Sequence, residues 1–270
     1  MRIQLIVPPA TTLSREAIGF VEGMKEAFGK AAFQVELVDK HPDLIHVVGI
    51  RNEVSMQAIT KAHSRQIPVA CSPLGELTPW NLQQHLARTQ APNLKNALQS
   101  ANLIHVTGPF EQKTVEEIAR KHGRTILAPN PVVTNASTFE HVAQILVEEY
   151  IQLIQKQEDA KRMEIKKLLV GESDEVASSL YEKILYLRYM NQRQTLPLLL
   201  LHELAALLTQ SDYDENAFSK NLKRYAIEGF FPRLEQILAE QSSLTEGFMP
   251  LPPVDDRETE RMRKYVFVQE

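Results

Sequence analysis

The sequence is poor in cysteine, and this excludes several kinds of site. Its single cysteine, Cys71, cannot form an internal disulfide or a metal centre made of several thiolates. The apolar run that precedes Pro8 and Pro9 is too short for the hydrophobic region of a signal peptide. We therefore expect a cytoplasmic protein with no bound metal and no cofactor.

Long hydrophobic runs and excess positive charge are also missing. The longest apolar run, residues 196–208, is interrupted by His202 and Glu203 and falls short of the roughly 20 residues that a membrane span needs. The 30 basic and 34 acidic side chains give a formal net charge of -4, which is unfavourable for binding a phosphate backbone. We predict no membrane span and no nucleic-acid partner.

Two parts of the chain differ in charge. Residues 1–157 hold 15 basic and 14 acidic side chains, whereas residues 158–270 hold 15 and 20. This shift predicts two domains, and the pattern of apolar residues changes across the same region. We expect an α/β domain at 1–157 and a smaller helical domain at 158–270, which has a proline-rich linker and a charged C-terminal tail.

The first part alternates short apolar runs with helical patterns. Helices are predicted at 14–28, 54–63 and 114–122, where apolar residues recur with the helical period. Most of the predicted strands are nearly continuous apolar runs, as expected when helices cover both faces of a parallel sheet. The fold class is therefore α/β with a Rossmann-like parallel sheet, and ligands are expected beyond the carboxyl ends of its strands. The strands are predicted at 2–7, 34–38, 44–48, 67–71, 103–107 and 125–128.

The second part has a helical pattern almost throughout. One helix is predicted after a Ser173 cap, a buried one from Thr195, and a third from Asp214. Residues 249–256 are proline-rich and predict an extended linker. The tail at 265–269 has the composition of a strand, which could add to a sheet edge of this chain or to that of a partner.

Four segments of the first part resemble a known family in their order and spacing. They are "HPDLIHVVG" (41–49), "IPVACSPLG" (67–75), "SANLIHVTGPFEQKTVEEI" (100–118) and "TILAPNPV" (125–132). Together they are similar to the N-terminal half of family 4 glycosyltransferases of GT-B fold, over about residues 1–138. The resemblance implies a Rossmann-like domain that forms the acceptor side of a sugar-transfer enzyme.

The donor side of that family has no counterpart here. The resemblance implies that Asn130-Pro131 should lead into a second Rossmann domain, which binds the nucleotide sugar. Instead a helical pattern follows at 137–154, similar to the helix that returns to the first domain in the family. The later residues offer neither the family's paired glutamates nor a glycine-rich turn for a diphosphate. Val48, Leu74 and Gly108 also stand where the family often has polar side chains.

Polar residues after the predicted strands are the candidates for lining a pocket. Since parallel strands end at one edge of a sheet, these residues should converge on one rim. A purely structural interpretation is also open, in which Asn52 or Ser72 caps a helix and Glu53 complements its dipole. No residue is assigned a catalytic role. The candidates are Thr11, Arg51, Asn52, Glu53, Ser72, Gly75, Glu76, Thr107, Gly108, Glu111 and Asn130.

Three other side chains could carry chemistry but are better explained as core residues. His46 and His105 lie in the middle of apolar strands, where a histidine is usually satisfied by a hydrogen bond. Cys71 closes a buried strand and has no base next to it in the sequence. The "HEL" at 202–204 lacks the second histidine of a zinc helix, because Ala206 takes that place.

Three functions remain open from the sequence. The first is a non-catalytic binding or scaffold component that keeps only the acceptor-side half of a glycosyltransferase. The second is the acceptor-binding subunit of a split glycosyltransferase, and the third is a stand-alone enzyme with new chemistry at the strand ends. The partner would be another protein, a second copy of this chain, or a carbohydrate or other polar small molecule.

Overall fold

A computed structural model of the chain describes residues 1–85, 91–120, 123–172, 174–210, 214–242 and 244–268. The chain divides into two compact units, Met1–Gln157 and Glu158–Glu270. None of the helices in the described ranges combines the length and the hydrophobicity that spanning a lipid bilayer requires.

The first unit contains a six-stranded sheet in which every neighbouring pair of strands is parallel. The strand order is β2-β1-β3-β4-β5-β6, so the chain reverses its direction of winding between β1 and β3. The predicted Rossmann-like α/β class is confirmed. The strands are β1 (Arg2–Ile6), β2 (Glu36–Leu37), β3 (Leu44–Val48), β4 (Val69–Ser72), β5 (Leu103–Val106) and β6 (Arg124–Leu127).

Helices follow most of these strands and bury both faces of the sheet. In β3, Ile45 and Val47 join one apolar cluster with α2, α4 and α5, while Leu44 joins a second cluster with α1 and α6. This alternation explains why the central strands are apolar at nearly every position. The helices are α1 (Arg15–Phe28), α2 (Glu53–Ser64), α3 (Pro79–His85), α4 (Ala91–Ser100), α5 (Pro109–Ile118) and α6 (Phe139–Leu168).

Two of the predicted helices differ in their bounds, and two further helices, α3 and α4, were not predicted. Helix α5 begins at Pro109 rather than at 114, because proline suits the first turn of a helix and Gly108 takes the cap position before it. Residues 121–122, in the predicted C-terminal end of this helix, lie outside the described residues. Helix α6 has 30 residues and continues well past residue 154, since its sequence contains no glycine or proline before Gly171.

The second unit is helical around one apolar cluster. Ser173 lies outside the described residues, and the side chain of Asp174 caps α7 instead. The predicted buried helix begins at Leu198, after Pro197. The elements are α7 (Glu175–Gln192), β7 (Leu196–Pro197), α8 (Leu198–Gln210), α9 (Glu215–Arg224), α10 (Phe231–Gln241), α11 (Arg257–Arg263) and β8 (Val266–Phe267).

The strand-like tail pairs within its own unit. Strand β8 lies parallel to β7, with Leu196 opposite Val266 and Pro197 opposite Phe267. Before it, the side chains of Asp256 and Thr259 form a capping box at the start of α11. Of the two alternatives for this tail, the structure therefore shows the sheet edge of this chain.

One carboxyl group lies inside the apolar cluster of the second unit. Glu235 on α10 is fully buried, and its Oε1 accepts a hydrogen bond from the Leu251 amide at 3.3 Å. Its other oxygen, Oε2, has no hydrogen-bond partner among the described residues. Burial raises the pKa of this carboxyl from 4.5 to about 8, and the bond from Leu251 opposes that rise. Glu235 is therefore protonated in the folded protein at neutral pH.

Replacing this carboxyl should remove a pH dependence of stability. The folded state holds a proton that the unfolded chain releases above pH 4.5, so stability falls as pH rises from 4.5 to about 8. The slope for one group is about 1.4 kcal/mol per pH unit. Glu235→Gln should flatten this slope, as measured by hydrogen exchange of α10 amides in the full chain at several pH values.

The matched control for that experiment is Glu260→Gln, an exposed position on α11. This change should leave the pH dependence of exchange as it is in the unaltered chain. Equal slopes for the Glu235→Gln variant and the unaltered chain would show that Glu235 is ionised when folded.

Candidate functional site

All the candidate residues except Ser72, the last residue of β4, follow the carboxyl ends of the strands, and two carboxylates join the loops there. Glu76, after β4, reaches the loop after β3. Its Oε2 accepts hydrogen bonds from the amides of Ile50 at 2.5 Å and Arg51 at 2.9 Å. Gly49 has a φ of +71°, and a Cβ there would lie 3.3 Å from Oε1 of Glu76. The glycine thus gives both the turn and the space that this carboxylate needs.

Glu111 makes the corresponding connection between the loops after β4 and β5. Its Oε1 accepts from the amides of Gly75 at 2.7 Å and Leu77 at 3.3 Å. Its Oε2 accepts from the amide of Thr107 at 3.0 Å and from the Thr107 hydroxyl at 3.2 Å. Burial raises the pKa of this carboxyl, and the three amide bonds and the hydroxyl bond oppose the rise. The side chain has donors on both oxygens and is almost fully buried.

The structure therefore brings several candidate residues together, but mainly as partners of one another. Backbone donors at strand ends are the groups with which α/β domains bind phosphates and other anions. Here five such amides, belonging to three loops, already donate to protein carboxylates. These amides are those of Ile50, Arg51, Gly75, Leu77 and Thr107.

Other candidates shape the loops. Asn52 caps α2, since its Oδ1 accepts from the Ser55 amide at 2.8 Å, and Glu53 is exposed in the first turn of that helix. Asn130 is buried at the corner after β6, where its Oδ1 accepts from the Val132 amide at 2.9 Å. Thr11 is exposed in a short 3-10 turn after β1. These positions support the structural interpretation for Asn52 and Glu53, and they give Asn130 a structural role at its corner.

Ser72 belongs to a buried chain of hydrogen bonds that crosses the sheet. The Tyr150 hydroxyl lies 2.7 Å from Nδ1 of His46, and Nε2 of His46 lies 2.8 Å from Oγ of Ser72. The same Oγ lies 2.8 Å from Nδ1 of His105, and Nε2 of His105 lies 2.8 Å from the Ala128 carbonyl oxygen. We call this set the Tyr150–Ala128 chain.

The carbonyl oxygen of Ala128, at the end of the Tyr150–Ala128 chain, determines which atom carries the proton in each hydrogen bond. A carbonyl oxygen only accepts, so Nε2 of His105 carries a proton and Nδ1 accepts from Ser72. Ser72 then accepts from Nε2 of His46, and Nδ1 of His46 accepts from Tyr150. Burial lowers the pKa of His46 to about 3, helped by His105, and that of His105 to about 4. Both rings are neutral at physiological pH.

This chain explains the two strand histidines without catalysis. His46, Ser72 and His105 are each at most 1% exposed, so no substrate reaches them. Each histidine makes two hydrogen bonds, one more than predicted. Cys71 is also buried, and burial raises the pKa of its thiol, which opposes a nucleophilic role. Tyr150 belongs to the Tyr150–Ala128 chain but was not predicted from the sequence. The available signal was the presence of a tyrosine on the apolar face of α6.

Exposed apolar side chains lie near the loops that Glu76 and Glu111 join. Trp80 on α3 is 52% exposed and Phe110 on α5 is 62% exposed. Their rings meet edge to face with centroids 5.8 Å apart. Val54 and Val133, which also follow strand ends, are exposed as well. This pair was not predicted from the sequence, although both aromatic residues directly follow a proline near the start of a helix.

A side-chain donor at the strand ends has no partner in the described part of the chain. Nη1 of Arg51 is buried and makes no hydrogen bond to any described residue, although Nε of the same side chain lies 3.8 Å from Oε1 of Glu76. Across the described part of the chain, no group of three or more histidine, cysteine or acidic residues is suited to hold a metal ion. Comparisons with protein-family models, curated proteins and solved structures found no significant match.

Changing the buried carboxylate on α5 should destabilise the first unit. In Glu111→Gln, one carboxylate oxygen becomes an NH2 group that faces backbone donors, and at least one of them loses its acceptor. The expected loss is about 1–3 kcal/mol in the free energy of unfolding. Urea unfolding of the full chain, followed by the fluorescence of the single tryptophan Trp80, measures it.

Glu117→Gln is the control, because Glu117 is an exposed residue on the same helix. Its unfolding curve should overlay that of the unaltered chain. If Glu111→Gln overlays it too, then the carboxylate does not hold the loops after β4 and β5 together.

Proposed function

We propose that this chain is a non-catalytic binding or scaffold component, related to the acceptor-side half of a GT-B glycosyltransferase. The resemblance of residues 1–138 to family 4 glycosyltransferases supports the relationship. The helix α6 follows the corner at Asn130 in the place where that family would continue into a second Rossmann domain. From residue 139 onward, the described strands are the short pair β7 and β8.

The observation that carries the proposal is the use of the strand-end amides. A sugar phosphate or nucleotide sugar needs free donors, because each buried oxygen left without one costs about 1–3 kcal/mol. Glu76 and Glu111 already accept from these amides. A negatively charged ligand would also meet two carboxylates at this place. These contacts favour a protein that binds something other than an anionic donor substrate.

The Trp80–Phe110 pair favours a protein partner. Tryptophan and other aromatic residues are enriched at protein interfaces, where they give a large contact area with little loss of side-chain freedom. Both rings are more than half exposed, and each belongs to the second residue of a helix that follows one of the loops joined by Glu76 and Glu111. We therefore place the binding surface at the starts of α3 and α5.

A second candidate function is the acceptor-binding subunit of a split glycosyltransferase. The Arg51 side chain favours it, since it is partly exposed beside these amides and its guanidinium can donate a hydrogen bond to a ligand oxygen. In this case a separate polypeptide would supply the nucleotide-sugar site. The Trp80–Phe110 pair would then contact that subunit.

Affinity capture from the source cells with the full chain tests the proposed surface. We expect a protein partner that binds the unaltered chain and is lost with the double variant Trp80→Ala/Phe110→Ala. Both side chains are exposed, so the variant should fold normally. The control is Leu199→Ala, which removes an exposed apolar side chain from the helical unit and should retain the partner.

The recovered complex also separates the two functions. A complex without sugar transfer from nucleotide sugars supports the scaffold, whereas transfer that requires both proteins supports the split enzyme. Transfer by the purified chain alone would contradict both. Equal capture by the double variant would show that the Trp80–Phe110 pair is not the contact surface.

A further inference from the structure

The helical unit contains a cavity of about 430 Å³ between α6, α7 and α8. Its volume lies in the range of small-molecule sites. The lining residues on α7 recur every three or four positions, so they share one face of that helix. These are Ser179, Glu182, Lys183, Tyr186 and Leu187.

The inner part of this cavity is apolar. Ile165 on α6 and Leu187 on α7 are buried in the cluster of the helical unit, and Leu200 on α8 packs against that cluster. Burial of apolar surface is the main source of affinity for small ligands in such a place. The occupant therefore has an apolar body.

One wall is an aromatic ring held in a fixed position. The hydroxyl of Tyr186 donates to Glu158, which also accepts from Nη1 of Arg193 at 2.7 Å. Burial raises the pKa of Tyr186, so this hydroxyl keeps its proton. The guanidinium of Arg162 lies over the ring, 4.7 Å from its centroid. The tyrosine thus positions a cation at the edge of the cavity.

The charged groups that line the cavity are unevenly paired. Lys183 on α7 and Glu203 on α8 form an ion pair at 2.5 Å, which cancels their charges. Arg162 and Glu182 also line the cavity, and neither has an ion-pair partner in the described parts of the chain. One positive and one negative charge are therefore left for a ligand. A purely anionic or purely cationic molecule would meet a like charge.

We propose that this cavity binds a zwitterionic ligand with an apolar body, of the class of short apolar peptides with both termini free. Its carboxylate pairs with Arg162, its ammonium pairs with Glu182, and its side chains cover Ile165, Leu187 and Leu200. This site is separate from the strand-end loops of the first unit. It does not depend on the function proposed for them.

Titration of the full chain with the dipeptide leucyl-leucine, followed by calorimetry, tests the proposal. Two blocked probes remove one charge each: N-acetyl-leucyl-leucine lacks the ammonium, and leucyl-leucine amide lacks the carboxylate. Each should bind at least about tenfold more weakly, because hydrogen bonds between charged groups are among the stronger ones. Blocked probes that bind as tightly as leucyl-leucine, or no heat from any probe, would overturn the proposal.

Variants of the lining residues test which side chain pairs with each charge of the ligand. Arg162→Gln should weaken the binding of leucyl-leucine about tenfold or more and leave the binding of leucyl-leucine amide unchanged. Glu182→Gln should also weaken the binding of leucyl-leucine about tenfold or more, but it should leave the binding of N-acetyl-leucyl-leucine unchanged. Arg224→Gln is the matched control, since Arg224 also lies over a tyrosine ring but outside the cavity. Binding that is equal in all three variants would overturn the assignment.

Discussion

The structure depends on a requirement of parallel sheets: the backbone amides at buried strand ends must find acceptors. In many α/β domains a ligand oxygen meets part of this need. Here the acceptors are two carboxylates of the same chain. Glu76 accepts from amides in the loop after β3, and Glu111 accepts from amides in the loops after β4 and β5. The same contacts that stabilise the loops after β3, β4 and β5 therefore occupy the groups that an anionic ligand would use.

A second buried network provides hydrogen-bond partners for polar side chains inside the sheet. Two histidines and a serine on one face of β3, β4 and β5 would each cost free energy if left unsatisfied. The Tyr150–Ala128 chain gives all of them partners in one proton order, and it also attaches α6 to the sheet through the Tyr150 hydroxyl. This attachment is consistent with a domain whose chain passes directly from β6 to α6 after the Asn130 corner.

Much of the fold could be predicted from the sequence, because continuous apolar runs flanked by helical patterns are specific for a parallel sheet with two covered faces. The residues of the candidate site were identified less well. Glu111 was expected to line a pocket, but the bonds that bury it come from residues up to 36 positions away. Tyr150 was missed because its partner His46 lies 104 positions away. Local patterns carry no information about such contacts.

The central claim is that protein carboxylates occupy the strand-end amides. The amide proton–nitrogen NMR spectrum of the full chain, recorded during addition of formate, inorganic phosphate or a nucleotide sugar, tests it most directly. In the unaltered chain the Ile50 and Arg51 signals should not move with any of the three. In Glu76→Ala, formate should shift both, because a free carboxylate can take the vacant place. Shifts of these two signals with phosphate or nucleotide sugar in the unaltered chain would contradict the account.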